Sequence, residues 1–226
     1  MLKFHGVPFS AHTRKVILAA LEKGLAYELE LVIPLTPPPS WRERSPLGKI
    51  PILEHGSVTL ADSSVIALYL DRVYPERPIY PADPAAYGRA LFIEEFVDGD
   101  LAGHVLHGLL MQKVFAPRFL KREPDQALIH RSVNEMIPPR LDYLESQLHA
   151  EWFAGNFSMA DIAVASILLN YHYAGCELSV DTHPKLHDFL RHALARDSFR
   201  RALAIEVPKA RELGGLDMRL LESLGH

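Results

Sequence analysis

The chain has 226 residues, 48% of them apolar and 23% charged, a balance that fits a globular protein with a sizeable core and excludes global disorder. Lys and Arg total 24 against 28 Asp and Glu, so the net charge is -4, and no basic run offers an electrostatic footprint for nucleic acid. No apolar stretch approaches the roughly 20 residues that span a bilayer; the N-terminus lacks the tract of a secretory signal and Cys176 is the single cysteine, so a cytoplasmic protein with no internal disulfide is expected.

Leu2 to His5 reads as a short strand ending at Gly6, and Ala11 to Glu22 as a helix with Val16, Ile17, Ala20 and Leu21 on its apolar stripe and Gly24 at its end. Tyr27 to Val32 reads as a second strand, stopped by the cluster Pro34, Pro37, Pro38 and Pro39. A helix between two strands is long enough to return the chain to the same sheet edge, so the pair is expected to be parallel. Ile52 to Glu54 and Val58 to Leu60 form a hairpin around His55-Gly56-Ser57, and Ser63 to Val73 is a helix with Val65, Ile66, Leu68, Tyr69 and Leu70 on one face. The first 75 residues therefore read βαβ, then ββα.

Tyr74 to Pro84 packs four prolines into eleven residues, which marks a stiff linker. Ala85 to Phe115, Asp125 to Leu148 and Ser158 to Tyr173 show helical spacing, with Pro117, Pro124, Pro138 and Pro139 as punctuation. The expected organisation is an α/β domain over 1–75, a linker over 76–84 and an all-helical domain over 85–226. In the tail, Glu206 to His226, Leu213, Leu216, Leu220 and Leu221 fall among charges, so the tail is expected to pack rather than dangle.

Three segments carry chemistry. In the first, Val7-Pro8-Phe9-Ser10-Ala11-His12-Thr13-Arg14, a hydroxyl stands at the start of a helix. Ser10 reads either as a plain N-cap or as a donor to an anion bound where the helix presents unpaired N–H groups. Thr13 is a competing hydroxyl whose place in the first turn favours capping or packing, and Arg14 reads as a support for the loop or as a solvated charge. In the second, Ser45-Pro46-Leu47-Gly48-Lys49-Ile50-Pro51, the proline reads as an ordinary start to a strand or as the site of a cis bond. In the third, Ala61-Asp62-Ser63-Ser64, Asp62 or Ser63 opens a helix and either caps it or meets the ammonium and carboxylate of a ligand.

The order and spacing of these segments within the βαβ–ββα frame resemble the glutathione-binding half of the cytosolic glutathione S-transferase superfamily, in its serine-type, bacterial-like form. The helical half agrees, because Trp152 to Ala163 looks like that superfamily's buried helix, with Ser158 capping and Asp161 reaching back to the Ser158 N–H. The resemblance implies a thioredoxin-like first domain and an all-α second domain. It implies Ser10 as the hydroxyl that stabilises the thiolate of glutathione, the co-substrate. Lys49, Ile50, Pro51, Asp62 and Ser63 are implied as glutathione-binding: Lys49 near the ligand's carboxylates, the Ile50 backbone paired with the cysteinyl unit beside a cis Pro51, Asp62 on the γ-glutamyl ammonium and Ser63 on its α-carboxylate. The family often holds the glycyl carboxylate from the loop after the second strand; here Trp41, Arg42 and Lys49 are the candidates.

With no cysteine at position 10, disulfide exchange lacks its nucleophile. The expected activity is a detoxifying glutathione transferase acting on small hydrophobic electrophiles. A glutathione-dependent peroxidase or isomerase would use the same thiolate, and a non-catalytic glutathione- or protein-binding member is the alternative from another class. The electrophile would bind near Phe9 of the first loop and near His104, His107 and Met111, which share one helical face with Phe115. The His104–His107 pair has no third ligand at a metal-binding spacing, so no metal is expected. Cys176 reads as a small buried hydrophobe, and a homodimer is expected from the family and from apolar residues around Ile66 to Val73.

Overall fold

A computed structural model describes residues 1–225. Four strands, β1 (Leu2–Gly6), β2 (Tyr27–Leu31), β3 (Ile52–His55) and β4 (Val58–Ala61), form one sheet in the order β2-β1-β3-β4. β1 and β2 run parallel with Leu2 opposite Tyr27, and β3 lies antiparallel to β1 on its other side with His5 opposite Ile52. Gly56, at φ +60°, is the first of two residues in the tight β3–β4 turn, a position where a two-residue hairpin favours glycine.

The crossover helix α1 (Ala11–Glu22) opens at the Ser10 cap and closes in a Schellman turn: Leu25 N–H reaches Ala20 C=O and Gly24 N–H reaches Leu21 C=O, with Gly24 at φ +72°. Every residue from Val16 to Leu21 is buried. α2 (Trp41–Arg44) is a single turn within the loop after β2, and α3 (Ser63–Val73) packs Ile66, Ala67 and Leu70 inward while Val65 and Val73 stay exposed. The proline-rich stretch that follows is tied down, since Asp71 accepts from both the Ile79 N–H and Lys23 Nζ.

From here on all elements are helical. α4 (Pro84–Phe96) continues through wider, π-helical turns over Val97–Leu101 and Gly103–Leu120. Pro117 was expected to interrupt this helix, yet lies inside it, because the wider turns displace the carbonyl that would otherwise meet the proline ring. α5 (Gln126–Arg131), a π-helical turn (Ser132–Met136) and α6 (Ile137–Gln147) form one run, in which Pro138 and Pro139 sit in the first turn of α6, where proline is tolerated.

α7 (Met159–Tyr173) is buried on nearly all sides and packs against α1 and α4, which makes it the axis of the molecule. Asp161 accepts from the N–H groups of Phe153 and Ser158 and from Ser158 Oγ, as the capping pattern predicts, and burial pushes its carboxyl up to about 7. α8 (Pro184–Ala195), α9 (Asp197–Leu213) and α10 (Arg219–Ser223) complete the chain. The tail packs through Glu206, Val207, Ala210, Leu216 and Leu221; His226, its last residue, lies outside the described residues. Among the described residues no helix is long and apolar enough to cross a membrane.

Candidate active site

β1 ends at Gly6 and the chain turns through Val7 to Phe9 before α1 begins at Ser10. That connection forms one wall of a cleft of about 460 Å³; Ile33 to Leu35, Gly48 to Ile50 and the long π-helical stretch supply the others. A second cavity, also about 460 Å³, shares His12, Lys49, Ile50, Asp98 and Gly99 with the first and extends over Pro46, Asp62, Ser63 and Ser64. The two form one bipartite site, apolar at one end and polar at the other.

Ser10 stands where α1 opens onto the cleft. It caps α1, accepting from the Thr13 N–H over a long 3.5 Å, and it lines the cleft. Its hydroxyl hydrogen is donated to no group among the described residues, which leaves it free for a ligand at the positive end of α1. Thr13 is fully buried against Gly6 and lines neither cavity, so its hydroxyl has a packing role. Arg14 is not a solvated charge: it is 0% exposed and paired with Glu206.

The Ile50–Pro51 bond is cis. The Ile50 side of that bond lines both cavities, and its N–H and C=O make no hydrogen bond within the described residues. Lys49 lines both cavities too, and its ammonium has no partner among the described residues. Of the other two candidates for the glycyl carboxylate, Trp41 is fully buried beneath Arg44, and Arg42 turns to the Pro46 carbonyl at 3.3 Å and lines neither cavity. Asp62 caps α3, Oδ1 accepting from the N–H groups of Ser64 and Val65, and it holds φ at +91°, a backbone region in which non-glycine residues are strained. Capping leaves Oδ2 free on the wall of the polar cavity, next to the buried Ser63.

His12, in the first turn of α1, stands at the junction of the two cavities, and no feature of the sequence set it apart from the chain's other histidines. Its Nδ1 lies 3.4 Å from Ser63 Oγ and 3.6 Å from Asp98 Oδ1. Burial holds the imidazole below its ordinary pKa, against the pull of Asp98, so it is neutral near pH 7. Asp98 also accepts from the buried Lys15 ammonium and from Ser64 Oγ. Lys15 reaches Glu94 at 2.8 Å as well; burial opposes its charge, but Asp98 and Glu94 outweigh that and keep it protonated. This network ties α1, α3 and the long helix together under the polar cavity. The only sequence signal for it is the spacing of Glu94 and Asp98, one turn apart.

At the apolar end, Phe9, His107 and Met111 line the cleft with Leu106, Leu110, Phe115 and Phe119. His104 does not. It faces Asp100, which Arg140 also holds at 2.6 Å. The physical reason is the winding: π-helical turns bring positions 102, 106, 110 and 111 to the cleft, whereas an α-helical face would have included 104. His104 and His107 therefore do not converge, and among the described residues no three His, Cys, Asp or Glu side chains form a metal-binding group. Cys176 is half-buried rather than fully buried, and burial raises its thiol pKa.

A four-stranded α/β sheet of thioredoxin-like type, joined to an all-helical half with a bipartite cleft between them, defines the class. The glutathione S-transferase N-terminal domain model matches residues 4–78 and the glutathione S-transferase C-terminal domain model residues 110–201; the chain belongs to the glutathione S-transferase superfamily. It is similar to a stringent starvation protein A homolog of Pasteurella multocida, 26% identical over 201 residues, 88% of this chain and 87% of that one. Its fold resembles a glutathione S-transferase from Rhodospirillum rubrum with a TM-score of 0.81, at 26% identity, covering 90% of this chain and 92% of that one. It also resembles a glutathione S-transferase from Methylobacterium radiotolerans in complex with glutathione sulfonate, with a TM-score of 0.76 at 24% identity over 89% and 93% of the two chains.

Proposed function

We propose that the protein is a serine-type glutathione transferase, in which Ser10 and the N-terminus of α1 stabilise the glutathione thiolate for attack on a small hydrophobic electrophile. The observation that carries this reading is the free Ser10 hydroxyl on the wall of the apolar cleft, which adjoins the polar cavity along His12, Lys49 and Ile50. The polar cavity supplies a group for each part of the tripeptide. Asp62 Oδ2 faces the γ-glutamyl ammonium, Ser63 and the start of α3 face its α-carboxylate, the Ile50 backbone pairs with the cysteinyl unit beside Pro51, and Lys49 takes the glycyl carboxylate. Residues 1–75 thus hold glutathione, and 85–226 supply most of the electrophile's pocket through Leu106, His107, Leu110, Met111 and Phe115.

A free thiol with a pKa near 8.5 is about 3% ionised at pH 7, and lowering that pKa by two units takes roughly 2.7 kcal/mol of differential stabilisation. A hydroxyl donor and a helix N-terminus together are of that order. The remainder of catalysis is proximity, with the electrophile held over the sulfur in a water-poor cleft. Exposed Val65, Val73 and Phe92 on the outer faces of α3 and α4 support a homodimer.

A second reading, a binding protein without turnover, is favoured by the similarity to a protein named for stringent starvation. Turnover of a generic aryl halide with glutathione separates the two. The transferase reading expects activity that falls on Ser10→Ala while glutathione still binds by calorimetry; binding with no turnover in the unaltered protein supports the second reading instead.

A further inference from the structure

Behind the Ser10 loop lies a buried polar cluster that no step above uses. Arg14 spends all five of its N–H donors: Nε and Nη2 on Glu206 at 2.7 and 2.5 Å, Nη1 on the Ser166 carbonyl at 2.8 Å and Asn170 Oδ1 at 2.9 Å, and Nη2 also on the Phe9 carbonyl at 3.5 Å. Tyr173 donates its hydroxyl to Glu206 Oε1. Arg14 and Glu206 are 0% and 1% exposed, so the guanidinium has nothing left to offer a substrate.

The cluster fixes the amide of Asn170. Arg14 is a donor only, so the Asn170 oxygen must face it, and the Asn170 Nδ2 must then point the other way. There it donates to the Phe9 carbonyl at 3.2 Å. That carbonyl belongs to the peptide joining Phe9 to Ser10, whose N–H donates in turn to the Val7 carbonyl at 3.1 Å. The Phe9–Ser10 peptide is therefore gripped at both ends, by Asn170 of α7 and Arg14 of α1 on one side and from its own turn on the other.

We infer that Asn170, oriented by the buried Arg14–Glu206 pair, is a positioning residue that sets the Ser10 hydroxyl against the thiol. The inference rests on the thiolate reading of Ser10. Its mechanical basis is that the peptide plane fixes the Ser10 Cα, so that only the Ser10 φ and χ1 remain to place the hydroxyl oxygen, while a misplacement of about 1 Å can cost on the order of a hundredfold in rate.

The test is an ultraviolet titration of the thiolate in the glutathione complex, with turnover at pH 7, for the unaltered protein, Asn170→Leu and Asn170→Ala. Leu keeps the branched shape, removes the amide and adds no charge; Ala is read in its place if Leu does not fold. Leu186→Ala, a buried truncation in α8 remote from the loop, reports what lost stability alone does. The expected result is a thiol pKa about one unit higher in the Asn170 variants and a turnover about threefold lower, with glutathione affinity within about twofold and no pKa change in Leu186→Ala. A depressed thiol pKa in the unaltered protein that Asn170→Leu or Asn170→Ala leaves unchanged overturns the positioning role and spares the thiolate reading. An undepressed thiol in the unaltered protein overturns both.

Discussion

The two ends of the cleft are built on different principles. At the polar end hydrogen bonds and ion pairs fix the geometry of several side chains: Asp62 is bound to two N–H groups, His12 lies between Ser63 and Asp98, and Lys15 beneath them is pinned by two carboxylates. At the apolar end Leu106, Met111, Phe115 and Phe119 offer shape alone, along a helix whose Gly99 and Gly103 have no heavy atom within 4 Å of where a Cβ would stand. The contrast teaches how one site can be strict toward one ligand and lenient toward another. Hydrogen-bonding groups left unpaired penalise the wrong ligand heavily, whereas an apolar wall discriminates by only about 1–3 kcal/mol.

The largest expected effect is at Ser10. If Ser10 lowers the thiol pKa by two units, Ser10→Ala cuts the thiolate at pH 7 from about 76% to about 3%, so turnover at saturating glutathione falls about 25-fold. Phe115→Ala should leave the thiol untouched and instead shift the preference between bulky and small electrophiles by about tenfold, read as a ratio of kcat/KM values; His104→Ala, outside the lining, should change that ratio less than twofold. Lys49→Ala removes one partly exposed charge partner and should weaken glutathione binding about fivefold by calorimetry, with kcat nearly unchanged.

The smallest effect is a pH dependence of stability. Burial holds the folded pKa of His12 below its ordinary 6.5, so on acidification the unfolded chain takes up this proton first. The contribution of His12 is complete above about pH 6.5 and is lost as pH falls through its depressed folded pKa. His12→Gln should flatten that part of the acid limb, seen as a smaller drop in the urea midpoint between pH 7 and 5.

What was legible in the sequence follows the same divide. The polar end is made of short local motifs, each residue within a few positions of the helix or strand that presents it, so the cavity-lining Lys49, Ile50, Asp62 and Ser63 fall in segments whose order and spacing stand out along the chain, as do Ser10 of the adjoining cleft and the cis Pro51. The strands and α1 were legible for the same reason, through alternation, an N-cap serine and a closing glycine. The apolar end was only partly so, because the same leucines and aromatics satisfy an α-helical or a π-helical winding, and the choice moves His104 off the cleft. Partners far apart in sequence gave no signal at all: Arg14 and Glu206 are 192 residues apart. The single turn α2 was hidden among prolines.

The account stands most directly on the state of the bound thiol. An ultraviolet titration of glutathione in complex with the unaltered protein and with Ser10→Ala measures it without choosing an electrophile. The account predicts a thiol pKa about two units below the free value in the unaltered protein and a return toward 8.5 in the variant. A pKa that is the same in both proteins would contradict it.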